Sequence, residues 1–179
     1  MIASTRGAAQ DLHFPAIFSE YAPYVLRVMR HLGIPSGDLQ DQCQEVFVAV
    51  FRGLSSFSGR SSLRTWIYGI CLRVASNHRR RAHIRRERPY SEPPEQSLPP
   101  PQHERFEQRE NQASLQRLLD ELDPDKREVF VLYEIEELPM QEVADAVGCP
   151  LHTAYSRLYG ARKLIHEGIR RARAQMGNR

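Results

Sequence analysis

The chain has few cysteines and no long apolar run. Its three cysteines, Cys43, Cys71 and Cys149, lie far apart and form no Cys-x-x-Cys pair. A disulfide framework or a structural zinc site is therefore not expected, and buried thiols in a reducing cytoplasm are the better interpretation. No apolar stretch is long enough to cross a bilayer, and the N-terminus lacks the apolar core of a signal peptide. We expect a cytoplasmic protein with no membrane contact of its own.

The patterns of catalytic and cofactor sites are also missing. The seven histidines are scattered, and the sequence contains no glycine-rich phosphate loop, nucleophile elbow or clustered carboxylates. The glutamates between Tyr133 and Glu142 are interpreted as a solvated helix face. We therefore expect no catalytic residue, no metal, no cofactor and no enzyme activity. The net charge is only +3, so the position of charge matters more than its sum.

The distribution of proline divides the chain into three parts. Residues 11–84 and 112–174 carry apolar side chains at helical spacing, whereas residues 85–111 are polar and include a run of three prolines at 99–101. A segment of that composition cannot bury enough surface to fold alone and favours an extended linker. No alternating strand pattern occurs. The sequence predicts an all-α protein, in which two small helical bundles are joined by a flexible proline-rich linker.

The second bundle contains a helix-turn-helix pattern. Val143, Ala144 and Val147 recur at helical spacing, Gly148 stands where a left-handed C-cap is needed, and Pro150 prevents the first helix from continuing. The next helix has one apolar side, formed by Ala154, Leu158, Ala161 and Ile165. The pattern is typical of proteins that place the second helix in the DNA major groove. An ordinary helical hairpin with a glycine turn is the alternative.

The first bundle is predicted to contain four helices. One apolar stripe begins at Phe14 and ends before Gly33, and a second helix begins near Ser36 or Asp38 and ends near Gly53. Its outer face is acidic, which fits either a solvated face or a surface that docks on a basic protein.

A polar loop, residues 57–62, leads into an aromatic helix in which Ser61 or Ser62 is the expected cap. We expect Trp66 in the core, and the place of Tyr68 is left open. The helix ends in the arginine run 79–81. Aromatic side chains can stack on unpaired bases while arginines hold the backbone, so this helix favours nucleic-acid contact.

These motifs resemble a known family. Asp41-Gln42-Cys43-Gln44-Glu45-Val46-Phe47, Phe57-Ser58-Gly59 and Leu63-Arg64-Thr65-Trp66-Ile67-Tyr68 are similar to region 2 of bacterial sigma factors. With the helix-turn-helix and only a linker between, the chain resembles the extracytoplasmic-function (ECF) class, which keeps only regions 2 and 4. The resemblance implies a region 2 domain at residues 11–84, a linker at 85–111 and a region 4 domain at 112–174.

The resemblance also implies partners and contact residues. Core RNA polymerase would be bound through Asp38, Asp41, Gln44, Glu45 and Phe47. The −10 promoter DNA would be melted and held by Phe57, Ser61, Ser62, Arg73, Asn77, Arg79 and Arg80. The −35 DNA would be read by Thr153, Tyr155, Ser156, Arg157, Tyr159, Arg162 and Lys163. An anti-sigma factor is the expected regulator. The chain departs from the family at Tyr155 and Gly160, where basic residues are common.

A stand-alone helix-turn-helix regulator is the alternative function. Such a protein usually carries a sensor or receiver domain, and residues 11–84 show no parallel-strand pattern for one. Binding of promoter duplex without polymerase would favour this alternative.

Overall fold

The computed structural model describes residues 13–86 and 104–176, and all regular elements within those ranges are helical. Seven α-helices follow one another within these described residues: α1 (Phe14–His31), α2 (Leu39–Gly53), α3 (Leu63–Arg86), α4 (Glu104–Asp120), α5 (Pro124–Phe130), α6 (Met140–Val147) and α7 (Leu151–Met176). The predicted all-α class is confirmed. No helix in the described ranges is both long and apolar enough to span a bilayer.

The N-terminal bundle consists of α1, α2 and α3, each with an apolar side turned inward. Its core is built from Val25, Val28 and Met29 of α1, Val46 and Val50 of α2, and Ile67, Tyr68 and Cys71 of α3. A 3₁₀ turn, Leu54–Ser56, follows α2, so the bundle has three α-helices where four helices were expected. Ser62 begins α3, because its hydroxyl oxygen accepts the backbone N–H of Thr65 at 3.0 Å.

The C-terminal bundle consists of α4 to α7 and contains the predicted helix-turn-helix. Asp123 caps α5 by accepting the N–H of Lys126 at 3.0 Å, and a π-helical turn, Val131–Ile135, follows. Gly148 ends α6 in the left-handed region, with φ 67° and ψ 38°. The predicted apolar side of α7 is buried at all four positions, Ala154, Leu158, Ala161 and Ile165. The local sequence therefore predicted this helix-turn-helix correctly.

Several expectations need correction. Tyr68 is completely buried, whereas Trp66, expected in the core, is only half-buried. Helix α3 runs to Arg86 and α4 begins at Glu104, so both helices extend into the segment predicted as a linker, whose proline run lies outside the described residues. Of the cysteines, Cys71 is buried but Cys43 and Cys149 are half-buried, and all three are free thiols. Burial raises the pKa of the Cys71 thiol.

The two bundles pack directly against each other. Helix α6 of the C-terminal bundle lies on α3, and α4 approaches α1. At a third contact the guanidinium of Arg127 lies against Gly33, where φ is +87°, and an added Cβ would meet it at 2.0 Å. Gly33 thus permits both the turn after α1 and the close approach of the second bundle. This packing decides which predicted site residues remain accessible.

Candidate nucleic-acid and polymerase interfaces

The outer face of α2 is acidic, but its acidic residues differ in accessibility. Asp41 and Gln44 are exposed, while the Asp38 carboxylate accepts a hydrogen bond from His78 Nε2 at 2.9 Å and Glu45 pairs with Arg81 at 3.2 Å. Because Asp38 is bonded to α3, its side chain does not cap α2. Asp41 and Gln44 are therefore the predicted polymerase-binding residues that an approaching protein meets first.

Phe47, also predicted to contact polymerase, is buried and only 5% exposed. Its ring packs against Phe18 at 4.7 Å between centroids, and Phe14 packs against Phe51 at 5.1 Å. Phe18 and Phe51 are the exposed members of this cluster. Phe47 thus joins α2 to α1, and the accessible aromatic surface belongs to its two neighbours. Phe18 and Phe51 lie within the two predicted helices, but helical periodicity alone does not show that these two rings reach solvent.

A cleft of about 520 Å³ opens beside the loop that precedes α3. The N-terminal bundle lines it with Arg60, Ser61, Thr65, Trp66 and Arg73, and α6 lines it with Glu142 and Asp145. Phe57 braces the Trp66 ring, with 5.1 Å between centroids. Gly53 lets the indole approach, since a Cβ there would lie 2.9 Å from it. The side of the cleft formed by the N-terminal bundle combines an aromatic wall, hydroxyls and two arginines, which suits an unpaired base and its phosphate once the carboxylates of α6 have moved away.

The residues predicted to bind the −10 element divide into three groups. Ser61 and Arg73 line the cleft, and Phe57 supports its aromatic wall. Ser62 is engaged in capping, and Arg79 donates to Glu128 of α5 at 2.6 Å. Asn77 and Arg80, which bond each other at 3.3 Å, lie further along α3 and outside the cleft lining. Arg60 and Trp66 complete the cleft but were not among the predicted site residues.

Glu136 lies at the centre of the contact between the bundles. It is 2% exposed, it pairs with Arg64, and its Oε1 lies 3.7 Å from a nitrogen of Arg27. The guanidinium of Arg64 also stacks over the ring of Tyr24 at 5.1 Å. The interpretation of this glutamate as part of a solvated face is wrong, because the packing of the two bundles encloses it.

The chain reversal after the π-helical turn directs Glu136 toward the N-terminal bundle. The N–H of Glu136 donates to Val131 at 2.9 Å, and Leu138 donates to Leu132 at 3.1 Å. Between them Glu137 adopts φ 55°, a left-handed conformation that costs a side-chain-bearing residue about 1 kcal/mol or more. Such a strained residue persists because the surrounding contacts hold it, and here it adjoins the buried carboxylate.

Two further carboxylates of the C-terminal bundle reach α3. Glu142 Oε2 accepts the hydroxyl of Thr65 at 2.9 Å, and Glu128 accepts from Arg79. Burial raises the pKa of Glu128, although the Arg79 guanidinium opposes the shift. Burial, reinforced by the charge of Glu136, raises the pKa of Tyr24 well above its ordinary range. Acidic groups of one bundle therefore cover the polar side of the other.

Helix α7 presents the residues predicted to read the −35 element. Tyr155, Ser156, Tyr159 and Lys163 are exposed, and Thr153 is half-buried. Arg157 pairs with Asp125 of α5, and Arg162 donates to Glu134 at 2.6 Å while stacking over Tyr133 at 5.6 Å. Both arginines are thus oriented by their own bundle. Gly160 lies against the Lys126 stem, where a Cβ would approach to 2.9 Å.

Two family models match the chain: sigma-70 region 2 over residues 17–84 and sigma-70 region 4 over residues 112–165. The ECF RNA polymerase sigma-E factor of Escherichia coli strain K12 is 30% identical over 152 residues, which is 76% of each chain. The RNA polymerase sigma-H factor of Pseudomonas aeruginosa is 26% identical over 172 residues, covering 87% of this chain and 86% of the relative.

Solved structures show the same fold. The sigma factor RpoE of Bartonella quintana, determined with the anti-sigma factor NepR, has 20% identity and a TM-score of 0.72, covering 88% of this chain and 96% of that one. CnrH, determined with the cytosolic domain of CnrY, has 23% identity and a TM-score of 0.62, covering 86% and 85%. The fold and the matched regions define a sigma-70-type transcription factor.

Within that class, the chain belongs to the ECF sigma factors. It is a promoter-specificity subunit that binds core RNA polymerase, recognises the −10 and −35 elements and helps to open promoter DNA. Matches to two separate sigma regions in the same chain favour this function over that of a stand-alone helix-turn-helix regulator.

Proposed function

We propose that the N-terminal bundle binds core polymerase and captures the −10 element, and that the C-terminal bundle reads the −35 element through α7. The chain would act in the cytoplasm as a noncatalytic subunit of the polymerase. The observation that carries this proposal is the cleft beside α3, which is lined by Trp66, Arg60, Arg73 and Ser61 and in which Phe57 packs on the Trp66 ring. Extruding a base costs a few kcal/mol, and such a cleft offers the base stacking and hydrogen bonds in return.

The polymerase contact is assigned to the exposed part of α2. Asp41 and Gln44 offer acceptors to a basic partner, and the exposed rings of Phe18 and Phe51 lie on the adjoining helix pair. A charged group beside an apolar cluster is a common composition for a protein interface, since the apolar part supplies affinity and the charge supplies orientation. Asp38 and Glu45 would contribute less directly, because each is already paired with a residue of α3.

The described arrangement of the bundles is proposed to be closed to promoter DNA. The −10 and −35 elements lie roughly 25 base pairs apart, which at about 3.4 Å per step is ~85 Å. Helix α7 has 26 residues and is only ~39 Å long, while α6 beside it touches α3 directly through Glu142 and Thr65. One molecule in this arrangement therefore spans too little of the duplex to occupy both elements.

The closed arrangement would also compete with DNA for α3. Glu128 pairs with Arg79, Glu136 pairs with Arg64, and Glu142 accepts a hydrogen bond from the hydroxyl of Thr65. Carboxylates of the C-terminal bundle therefore lie where the phosphates of a bound strand would approach α3. The bundles must separate before α3 can hold a strand. An anti-sigma factor that binds both bundles would stabilise this packing, and RpoE, which has the same fold, was determined in complex with the anti-sigma factor NepR. We infer that an anti-sigma factor regulates this chain.

Run-off transcription with purified core polymerase tests the proposal. The chain is added to core enzyme and genomic DNA fragments, and transcript ends are sequenced to find common −10 and −35 motifs. We expect transcripts that depend on the chain, and we expect Arg73→Ala or Trp66→Ala to reduce open complexes while leaving polymerase binding intact. Lys163→Ala on α7 is the matched control for the cleft, since it should affect duplex binding instead. Absence of any chain-dependent transcript, or of polymerase binding, would contradict the proposal.

A further inference from the structure

Helix α7 carries an exposed apolar stripe that its own bundle leaves uncovered. Leu151, Tyr155 and Tyr159 are 40%, 53% and 75% exposed and follow one another at intervals of four residues. Residues four apart lie on the same side of a helix, one turn above another. Three large side chains exposed within nine residues of one helix therefore form a continuous surface, not scattered exposures.

The stripe lies at the end of α7 that reads DNA. The core side of the helix is fixed by Ala154 and Leu158, which are buried. Tyr155 and Tyr159 lie about a quarter to a third of a turn from it, and Leu151, at the first turn, lies within about a sixth of a turn of it. The stripe begins at the first residue of α7, and in helix-turn-helix proteins the N-terminal residues of the second helix contact base edges. Its position therefore suits contact with base edges on the floor of the major groove.

The arginines nearest to the stripe are held by carboxylates of the same bundle. Arg157 is paired with Asp125, and Arg162 with Glu134 and the ring of Tyr133. Arg157, two residues after Tyr155, is held on the other side of α7 by α5, and Arg162, three residues after Tyr159, is held by the π-helical turn. The centre of the reading surface is consequently aromatic and aliphatic, at a position where related sequences commonly have a basic residue in place of Tyr155.

The major groove offers one apolar group for such a surface, the 5-methyl group of thymine. We propose that Leu151 and Tyr155 read thymine methyl groups in the −35 element, and that Tyr159 extends this contact along the groove. The inference rests on the proposed −35 role of α7 and specifies its substrate: a −35 element with thymine at one or more positions beneath the stripe. Burial of a methyl group gives discrimination without a hydrogen bond, at about fourfold in affinity for each methyl.

Replacing thymine with deoxyuridine tests the inference, because only the methyl group is removed. Each thymine of both strands of the −35 element is replaced in turn, and the affinity of the holoenzyme, the full chain with core polymerase, is measured for each duplex. We expect about fourfold weaker binding at one or more positions for the wild type. Tyr155→Ala should bind thymine and uracil duplexes equally at those positions, and Leu151→Ala should reduce the ratio at a neighbouring position.

Two controls separate methyl recognition from general binding. Lys163→Ala should weaken binding to every duplex and leave the thymine-to-uracil ratio unchanged. Tyr155→Phe keeps the ring and should keep the ratio, whereas a ratio lost with the hydroxyl would assign Tyr155 to a polar contact and overturn the inference. Tyr155 is exposed, so these variants should melt at the wild-type temperature.

The outcomes distinguish this inference from the proposed function. If the wild type binds the −35 element but no thymine is sensitive to the loss of its methyl group, methyl reading is wrong and the −35 role of α7 remains. Sensitivity that persists in both Tyr155→Ala and Leu151→Ala would also reject it, since another residue would be reading the methyl. If scrambling the −35 element does not affect the wild-type holoenzyme, the proposed role of the helix and this inference fail together.

Discussion

The two bundles neutralise their positive charge in different ways. In the N-terminal bundle, Arg81 pairs internally with Glu45, but Arg64 and Arg79 are paired with Glu136 and Glu128, which belong to the other bundle. In the C-terminal bundle, three arginines of α7 are paired internally: Arg157 with Asp125, Arg162 with Glu134 and Arg171 with Glu121. The surface proposed to hold the −10 strand is thus covered by the other bundle, whereas the arginines of α7, which is proposed to read the −35 element, are paired within their own bundle.

This difference indicates an order of events. On the proposed function, contact of α7 with a −35 duplex requires only that local ion pairs exchange a carboxylate for a phosphate, because Tyr155, Ser156 and Lys163 are exposed. The proposed strand capture at α3 requires more, since the C-terminal bundle would have to move away before a strand could enter the cleft. We expect duplex reading and single-strand capture to respond differently to mutations at the contact between the bundles, and the following experiments test that expectation.

The largest effect is expected from placing a charge in the core of the C-terminal bundle. Leu158 is 3% exposed, so Leu158→Asp buries a carboxylate without a partner and should destabilise that bundle by at least about 4 kcal/mol. Circular dichroism on heating, with amide exchange, measures the loss and its location. Tyr159→Asp, one residue further and exposed, is the control and should change stability by less than about 0.5 kcal/mol. An unchanged melting profile for Leu158→Asp would contradict the assignment of the core.

Charge reversal on α2 should give the next largest effect. Asp41→Lys combined with Glu45→Lys places two positive charges on the surface proposed to meet a basic partner, and affinity for core polymerase should fall at least about tenfold. Size-exclusion chromatography and fluorescence binding measure it. Gln112→Lys, an exposed position on α4 of the other bundle, should bind normally. Equal affinity of the double variant and wild type would remove this face from the interface.

Removing the charge of Glu136 should loosen the closed arrangement. Glu136→Gln keeps the size of the side chain but leaves Arg64 and Arg27 without their carboxylate, a loss of about 1–2 kcal/mol because the arginines are partly solvated. The radius of gyration should increase, and affinity of the full chain for a single-stranded −10 oligonucleotide should rise several-fold. Affinity for a −35 duplex should change little.

Glu137→Gln is the matched control for this experiment. Glu137 adjoins Glu136 but is exposed, and glutamine meets the same backbone restraint at φ 55°. It should behave as wild type in both assays. If Glu136→Gln leaves the radius of gyration and the single-strand affinity unchanged, the pairing of the bundles does not limit access to α3.

The smallest effect is expected at a single arginine of α7. Arg157→Ala should weaken −35 duplex binding a few-fold and lower the slope of log affinity against log salt by about one unit, as for one lost phosphate contact. Single-strand binding should not change. Arg171→Ala, near the far end of the helix and paired with Glu121, should leave both quantities unaltered. An unaltered salt slope for Arg157→Ala would exclude that phosphate contact.

Sequence was a good guide wherever neighbours along the chain decide the structure. Gly148 ends α6 as expected because only a residue that tolerates positive φ suits that turn, and the periodicity of Ala154, Leu158 and Ala161 identified the buried side of α7. Sequence was less informative for two rings of α3: Trp66 was expected in the core but is half-buried, and the place of the buried Tyr68 was left open. Both lie on a helix with apolar residues on several sides, so periodicity did not establish which ring would meet α1 and α2 and which would face the cleft.

Sequence also failed at the contact between the bundles. Glu136 resembles its solvated neighbours in a run of glutamates, yet it is bonded to an arginine 72 positions away. Its environment depends on the π-helical turn, on the strained Glu137 and on the docking of two bundles. None of these has a pattern that could be read from nearby residues. The same holds for Phe47, whose burial depends on where α1 crosses α2.

The sequence alone determined the helical class, the helix-turn-helix, the division into two bundles and the resemblance to sigma factors, because those features follow from local periodicity, turn chemistry and motif spacing. Only the tertiary structure decided which charges are accessible, since burial and pairing depend on residues brought together from distant parts of the chain. The packing of α6 on α3 and the exposure of the apolar stripe on α7 are both consequences of that long-range arrangement.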